Sequence, residues 1–433
     1  MRKIFTNVFV FLVVFILISE CADLFYVYKN TTDMPGKFGW EDRADFSVYW
    51  EAGFNLSQRG MSHRDRSDYP VYDLNEPFHH FRYSPFFAFL MIPFGMIRYS
   101  REALFWWYLL LNILFLASFF LFSKELRLDF KAREGQRCIV MWAAFIGTLR
   151  YYLMNMRQGQ TDVIVAFLFA LLLVSYLRDR DLVSGLIIAL ILQMKPSFFP
   201  VLIYFLFIRK IRIAVYTVII FALLQLLPAF LVGINEAVML FKEWIDMLRM
   251  SVPSQVLNFK NYSVPYAVTV QLMKINVIRA IISPRALIYA LSAISALAVY
   301  ALTARFRRRV LERDEKRFRY LEISILIMTS LLFSSLTWEA HFTALLVPIG
   351  TAVYFAMNSS KQKVIYAALG AYLALSLFGT DLTTWIPVIG GVRFINISIA
   401  TFFLAFAVVL GYRDNILSTV DSPQSTASGR GRD

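Results

Sequence analysis

Apolar stretches of helical length recur along this chain, separated by short basic connections. They fall at about 4–24, 103–122, 138–154, 160–177, 182–194, 197–208, 213–233, 284–304, 319–337, 341–357, 363–379 and 395–412. A helix needs about 20 residues to cross a hydrocarbon core, and most of these twelve windows come close to that length. None shows the period-two alternation of a barrel strand. The pattern predicts an all-α polytopic membrane protein with about twelve transmembrane helices. One apolar run departs from it. Residues 84–97 are interrupted by Pro85, Pro93 and Gly95, and about 14 residues suit an interfacial or re-entrant helix better than a span.

The charge pattern supports that choice. With 84–97 kept out of the count, every second connection is basic. These are Arg2 and Lys3; Lys124, Arg127, Lys131, Arg133 and Arg137; Arg178 and Arg180; Arg209, Lys210 and Arg212; Arg305, Arg307, Arg308, Arg309 and Arg313; and Lys361 with Lys363. The positive-inside rule then places both termini in the cytoplasm and a large first loop, 29–102, outside. The other outer segments are 155–159, 194–197, 234–283, 338–341 and 380–394. The basic start followed by an apolar run resembles a signal peptide, but Glu20 and Asp23 follow it instead of a small-residue cleavage site, so it reads as an uncleaved first helix. Residues 1–415 form a single transmembrane domain in this reading. The Ser/Thr/Gly-rich stretch 416–433 is an expected disordered cytoplasmic tail. No internal repeat stands out.

Composition agrees with a membrane location. Hydrophobic residues make up 58% and charged residues 17%, against about 25% charged in soluble proteins. The net charge of +14 is explained by the short basic loops facing anionic lipid, which leaves no call for nucleic acid. Cys21 and Cys138 form neither a metal motif nor a disulfide framework, and the four histidines make no zinc pattern.

The unusual polar residues gather on the outer side. Asp45 precedes Phe46, Tyr49, Trp50, Gly53 and Phe54, which would make one apolar stripe of a 44–58 helix and could lie on the bilayer. Alternatively, Asp45 is simply an acid at a helix N-terminus. Arg82 and Tyr83 precede the Pro85 break. Arg150, Arg157, Gln158, Gln160 and Asp162 surround the next outer turn. Lys195 sits between two short apolar helices, where a lysine is costly unless it snorkels to water or meets an anion. Asn261 lies in the long outer loop; Trp338, Glu339 and His341 sit at another helix end. One acid and several cations on one side of a membrane suit a lipid phosphate held by Lys and Arg, with a carboxylate near to take a proton. There is no Walker loop, dinucleotide fingerprint or kinase set.

These segments resemble the C superfamily of membrane glycosyltransferases, and within it family 87, the polyprenyl-phosphate-mannose-dependent α-1,2-mannosyltransferases. The resemblance runs from about residue 40 to 350. It is carried by Asp45-Phe-Ser-Val-Tyr-Trp-Glu-Ala-Gly53, by Phe81-Arg-Tyr-Ser-Pro-Phe-Phe-Ala88 and by Gly159-Gln160 with Asp162. Gly185-Leu-Ile-Ile-Ala-Leu-Ile-Leu-Gln-Met-Lys-Pro196, Asn261-Tyr-Ser263 and Ser335-Leu-Thr-Trp-Glu339 complete it. Ser84 departs from the family's proline, Arg157 from its asparagine, and Ala340 from its histidine, with His341 one place later.

The resemblance implies a C-type glycosyltransferase fold with a large first outer loop containing juxtamembrane helices. It implies an inverting enzyme of the inner membrane that moves a hexose, mannose by analogy, from a polyprenyl-phosphate donor to a lipid or glycan acceptor, with no metal or other cofactor. Asp45 would be the catalytic base. Lys195, Arg82 and Arg157 would hold the donor phosphate. Tyr49, Tyr83, Gln160, Asn261, Trp338, Glu339 and His341 are further substrate-binding candidates. The rival readings are a transporter or flippase for a lipid-linked sugar, and a non-catalytic glycan-assembly protein. The first would normally show internal repeats and broken helices.

Overall fold

A computed structural model describes residues 10, 13–14, 16–18, 44–62, 69–72, 81–258, 260–310, 314–382 and 395–420. Most of the first apolar segment, 4–24, therefore lies outside the described residues. So do Cys21, most of the 380–394 loop, and 421–433 of the expected tail. Every regular element among the described residues is a helix. Five helices are long and apolar enough to cross a membrane: Glu102–Phe130, Ile211–Val232, Pro284–Arg307, Glu339–Met357 and Asn396–Asn415. Asp162–Leu177, Asp181–Met194 and Pro196–Phe207 are shorter apolar helices. The last helix, Ile395–Val420, continues through 416–420.

The 84–97 run is indeed broken, into Pro85–Leu90 and Ile92–Gly95. Ser84 shows why the first piece starts where it does. Its hydroxyl accepts a hydrogen bond from the Phe87 amide, and Pro85 takes the first helical position, where no amide hydrogen is needed. The Ser84 amide donates to the Gln193 carbonyl at 3.3 Å, a bond that a proline at this position could not make.

The chain divides into two compact units. One comprises Met1–Leu121, Tyr151–Asn261 and Trp338–Ala344. In it the first-loop helix Ala44–Ser62 lies close against the two short helices, and a Cβ on Gly53 would stand 2.3 Å from the Met91 carbonyl oxygen. The far end of this helix is pinned by Arg59, which donates to Glu236 at 2.9 Å and to the Tyr69 carbonyl at 2.7 Å. Much of the apolar stripe is turned inward. Phe46 and Tyr49 are buried and pack on Phe87, Phe94 and Trp107, while Trp50 stacks on Phe54. Helical spacing correctly put these rings on one side, but their neighbours turn that side inward. Within the same unit Gln225 Nε2 donates to Gln193 Oε1 at 2.9 Å and so joins two apolar helices.

The other unit comprises Phe122–Arg150, Tyr262–Thr337 and Leu345–Asp433. Its basic loop residues are partly built into structure. Arg307 on Pro284–Val310 donates to both carboxylate oxygens of buried Glu322 on Glu315–Leu332 at 2.6 Å. Asp414 caps the start of Gln362–Leu382 by accepting from the Ser360 and Lys361 amides.

Candidate active site

Asp45 occupies the first turn of the first-loop helix. Its Oδ2 accepts a hydrogen bond from Gln160 Nε2 at 2.6 Å. Gln160 follows Gly159, whose φ of +66° belongs to the left-handed region that favours glycine. A Cβ at Gly159 would also stand 2.7 Å from Phe46 Cβ. The turn is held from behind. Trp107 Nε1 donates to the Gly159 carbonyl at 2.9 Å, and the Gln160 amide donates to the Asn155 carbonyl at 3.0 Å. The turn after Gln158 is thus pressed onto the residue next to Asp45, and this contact brings Gln160 to the carboxylate.

Lys195 enters from another break, between Asp181–Met194 and the 3₁₀ turn Pro196–Phe198. Its ammonium is 3.2 Å from Asp162 Oδ2 and 3.2 Å from His341 Nε2, and it stands over the Tyr83 ring at 5.6 Å. Asp162 is held by its own amide, which donates to Asn155 Oδ1 at 3.1 Å. The Asn155 side-chain amide in turn donates to Thr343 Oγ1 at 2.8 Å and to the Ala340 carbonyl at 3.2 Å. One asparagine thus ties the turn that carries Gln160 and Asp162 to the segment that carries His341. Tyr83 lies between the two sides: its hydroxyl is 2.6 Å from that of Tyr49 and 3.3 Å from that of Thr161.

Burial lifts the Asp45 pKa above the ordinary aspartate value, while the Gln160 hydrogen bond and the charges of Lys195 and Arg82 oppose the rise. Burial also draws the Arg82 pKa down against the pull of Asp45. Arg82 Nε and Gln160 Oε1 are buried without a hydrogen-bond partner among the described residues. A donor and an acceptor are therefore uncommitted near the Asp45 carboxylate. That combination suits an anion and a hydroxyl.

The structure brings Asp45, Tyr49, Arg82, Tyr83, Gln160, Lys195 and His341 together. Trp338 is joined to His341 through its amide, 3.4 Å from Nδ1, and Glu339 is buried on the same 3₁₀ stretch, Glu339–Leu345. Other candidates are placed differently. Arg157 is exposed near the end of Glu134–Gln158. Asn261 donates to the Val256 carbonyl at 3.0 Å and so braces its own loop. Arg150 donates to the Ser376 carbonyl at 2.7 Å in the other unit. Glu51, the nearest rival acid on the first-loop helix, is exposed. Sequence reasoning overlooked Asn155 and gave Asp162 no role. A signal was present for Asp162, because a carboxylate opening an apolar helix is costly unless it has a partner.

The sequence model of glycosyltransferase family 87 matches residues 81–335, more than half of the chain. The chain belongs to that family and is a glycosyltransferase. A search of curated proteins finds no match. The matched stretch includes Arg82, Tyr83, Gln160, Asp162 and Lys195. Asp45 and His341 lie outside it, so their places beside these residues are read from the hydrogen bonds.

Proposed function

We propose that this family 87 glycosyltransferase moves a hexose, mannose in the favoured case, from a polyprenyl-phosphate donor to a lipid-linked or envelope glycan acceptor. The reaction would take place at the outer face of the cytoplasmic membrane, in a chain of about twelve spans with both termini inside. Asp45 takes the proton of the acceptor hydroxyl. The freed oxygen attacks the anomeric carbon, the bond from that carbon to the phosphate oxygen breaks, and the polyprenyl phosphate leaves with the electron pair. A single displacement with one base inverts the anomeric centre. Gln160 holds the carboxylate in line. Arg82 and Lys195 stabilise the charge that develops on the leaving phosphate.

The observation that carries this reading is the buried carboxylate of Asp45, bonded by Gln160 and under the charges of Arg82 and Lys195. A base raised by burial and lying under two cations suits single displacement at a phosphate-activated sugar. The test uses the full chain in lipid nanodiscs with radiolabelled polyprenyl-phosphate mannose and a membrane-extract acceptor. Mass spectrometry of envelope glycans, with and without the gene, identifies the product. Wild-type transfer with none from Asp45→Asn supports the reading. If Asp45→Asn supports full transfer, the assignment of the base is overturned. If reconstituted vesicles flip the lipid-linked sugar and no label reaches an acceptor, the donor reading is overturned.

A further inference from the structure

Single displacement needs one base, yet this site contains a second carboxylate. The Asp162 side chain is 1% exposed and lies 3.2 Å from the ammonium of Lys195, whose side chain is 13% exposed. Its other oxygen is 3.9 Å from His341 Nε2, too far for a hydrogen bond. A pair this deeply buried is costly to assemble, and its burial alone is weak evidence of a stabilising purpose.

The charges suggest a different role. Asp45 and Asp162 supply two negative charges, and Arg82 and Lys195 supply two positive ones. Lys195 is occupied by Asp162, whereas Arg82 keeps a buried Nε without a partner among the described residues. A phosphodiester brings one negative charge into this balance. A phosphomonoester brings up to two at neutral pH, because its second pKa is about 6. In a water-poor site each unmatched charge matters far more than it does in bulk solvent.

We infer that Asp162 is a specificity residue which, by offsetting part of the Lys195 charge, sets the site to favour a lipid phosphodiester over a lipid phosphomonoester. The inference rests on the reading above, in which the donor is a sugar phosphodiester and the departing lipid a monoester. Asp162 then acts through Lys195 on ligand charge and touches no reacting atom. Its effect is to favour donor entry and product exit.

The experiment measures binding of farnesyl phosphate and of its methyl diester to the full-length protein in nanodiscs at pH 8. Wild type should bind the diester more tightly than the monoester. Asp162→Asn, which keeps size and the amide bond to Asn155, should gain about tenfold or more for the monoester while the diester changes far less. Asp162→Glu, which restores the charge, should keep the wild-type preference. A wild type that binds the monoester as tightly as the diester overturns the inference without any variant. An unchanged ratio in Asp162→Asn also overturns it, as does a shift in Asp162→Glu equal to that in Asp162→Asn, since packing would then be the cause. If wild type binds neither compound, the site is not one for lipid phosphates, and the functional reading falls together with the inference.

Discussion

Gln160 Nε2 and Asp45 Oδ2, 115 residues apart in the chain, meet at 2.6 Å. This bond joins the Ala44–Ser62 helix to the turn that precedes the Asp162–Leu177 helix. It also has a direction: it favours the ionised carboxylate and partly offsets the effect of burial.

The first prediction concerns the base itself. Asp45→Asn keeps the shape but cannot accept a proton. A positioned base contributes about 10²–10⁴-fold, so turnover should fall by that factor while yield and donor KM stay near wild type. Glu51→Gln, on the exposed side of the same helix, should change turnover less than about twofold. Radiolabel transfer by the two variants decides the matter, and the reverse ranking would move the base to Glu51.

The second follows from the sign of the Asp45 shift. The residue works only when ionised, so activity is full above its pKa and declines as pH falls through it. Burial places that decline above the ordinary aspartate value of 3.8. Gln160→Leu removes an influence that lowers the pKa, so the acidic limb of kcat/KM should move to higher pH. A limb that stays in place, or moves down, would show that Gln160 does not govern this carboxylate.

The third tests the Lys195–Asp162 pair. Lys195→Met leaves a buried carboxylate without its cation, which typically costs about 3–5 kcal/mol. Adding Asp162→Asn should restore much of the lost thermal stability, because the stranded charge is gone. Donor binding should remain weakened roughly tenfold to a hundredfold in both variants, the worth of a charged hydrogen bond to phosphate. Thermal unfolding and donor KM, measured on the same preparations, separate the two effects. Unaltered donor KM in both would leave Arg82 as the phosphate ligand.

The fourth addresses Gly159. Alanine there meets both a left-handed backbone and the Phe46 side chain at 2.7 Å. The strain should cost about 1–3 kcal/mol and displace Gln160 from Asp45. A lower midpoint in thermal unfolding, together with a loss of transfer larger than the loss of folded protein, is the expected result. Wild-type values for both would mean that the turn is not held as tightly as its contacts require.

The fifth concerns orientation. In a background with Cys21 and Cys138 replaced by serine, a cysteine placed at residue 62 should react with an impermeant reagent applied from outside. One placed at residue 312 should not. The reverse labelling would invert the arrangement inferred from the basic loops.

The sequence by itself determined many of the helices, though not Ile234–Val256, which lies in a segment read as a loop. Apolar windows such as 213–233 and 363–379 coincide with Ile211–Gln225, Ala229–Val232 and Gln362–Leu382. Proline positions correctly broke 84–97, because backbone propensity and apolar length are local properties. Lys195 was legible as a candidate for the same reason, since charge in apolar surroundings needs an explanation wherever it occurs, while Asp45 and Arg82 drew their roles from the family resemblance. Only the tertiary structure decided what each residue meets. Helical spacing grouped Phe46 with Tyr49, but it took Phe94 and Trp107 to turn them inward. Lys195 looked free for a ligand until Asp162, which opens a different helix, was found 3.2 Å away. Arg157 and Asn261 are as polar as the residues that do converge, yet one stands exposed and the other braces its own loop. The physical reason is range. Propensity and periodicity act over a few residues, whereas the contacts of this site join positions 115 and 146 apart, and only close packing of distant segments brings such positions within a hydrogen bond.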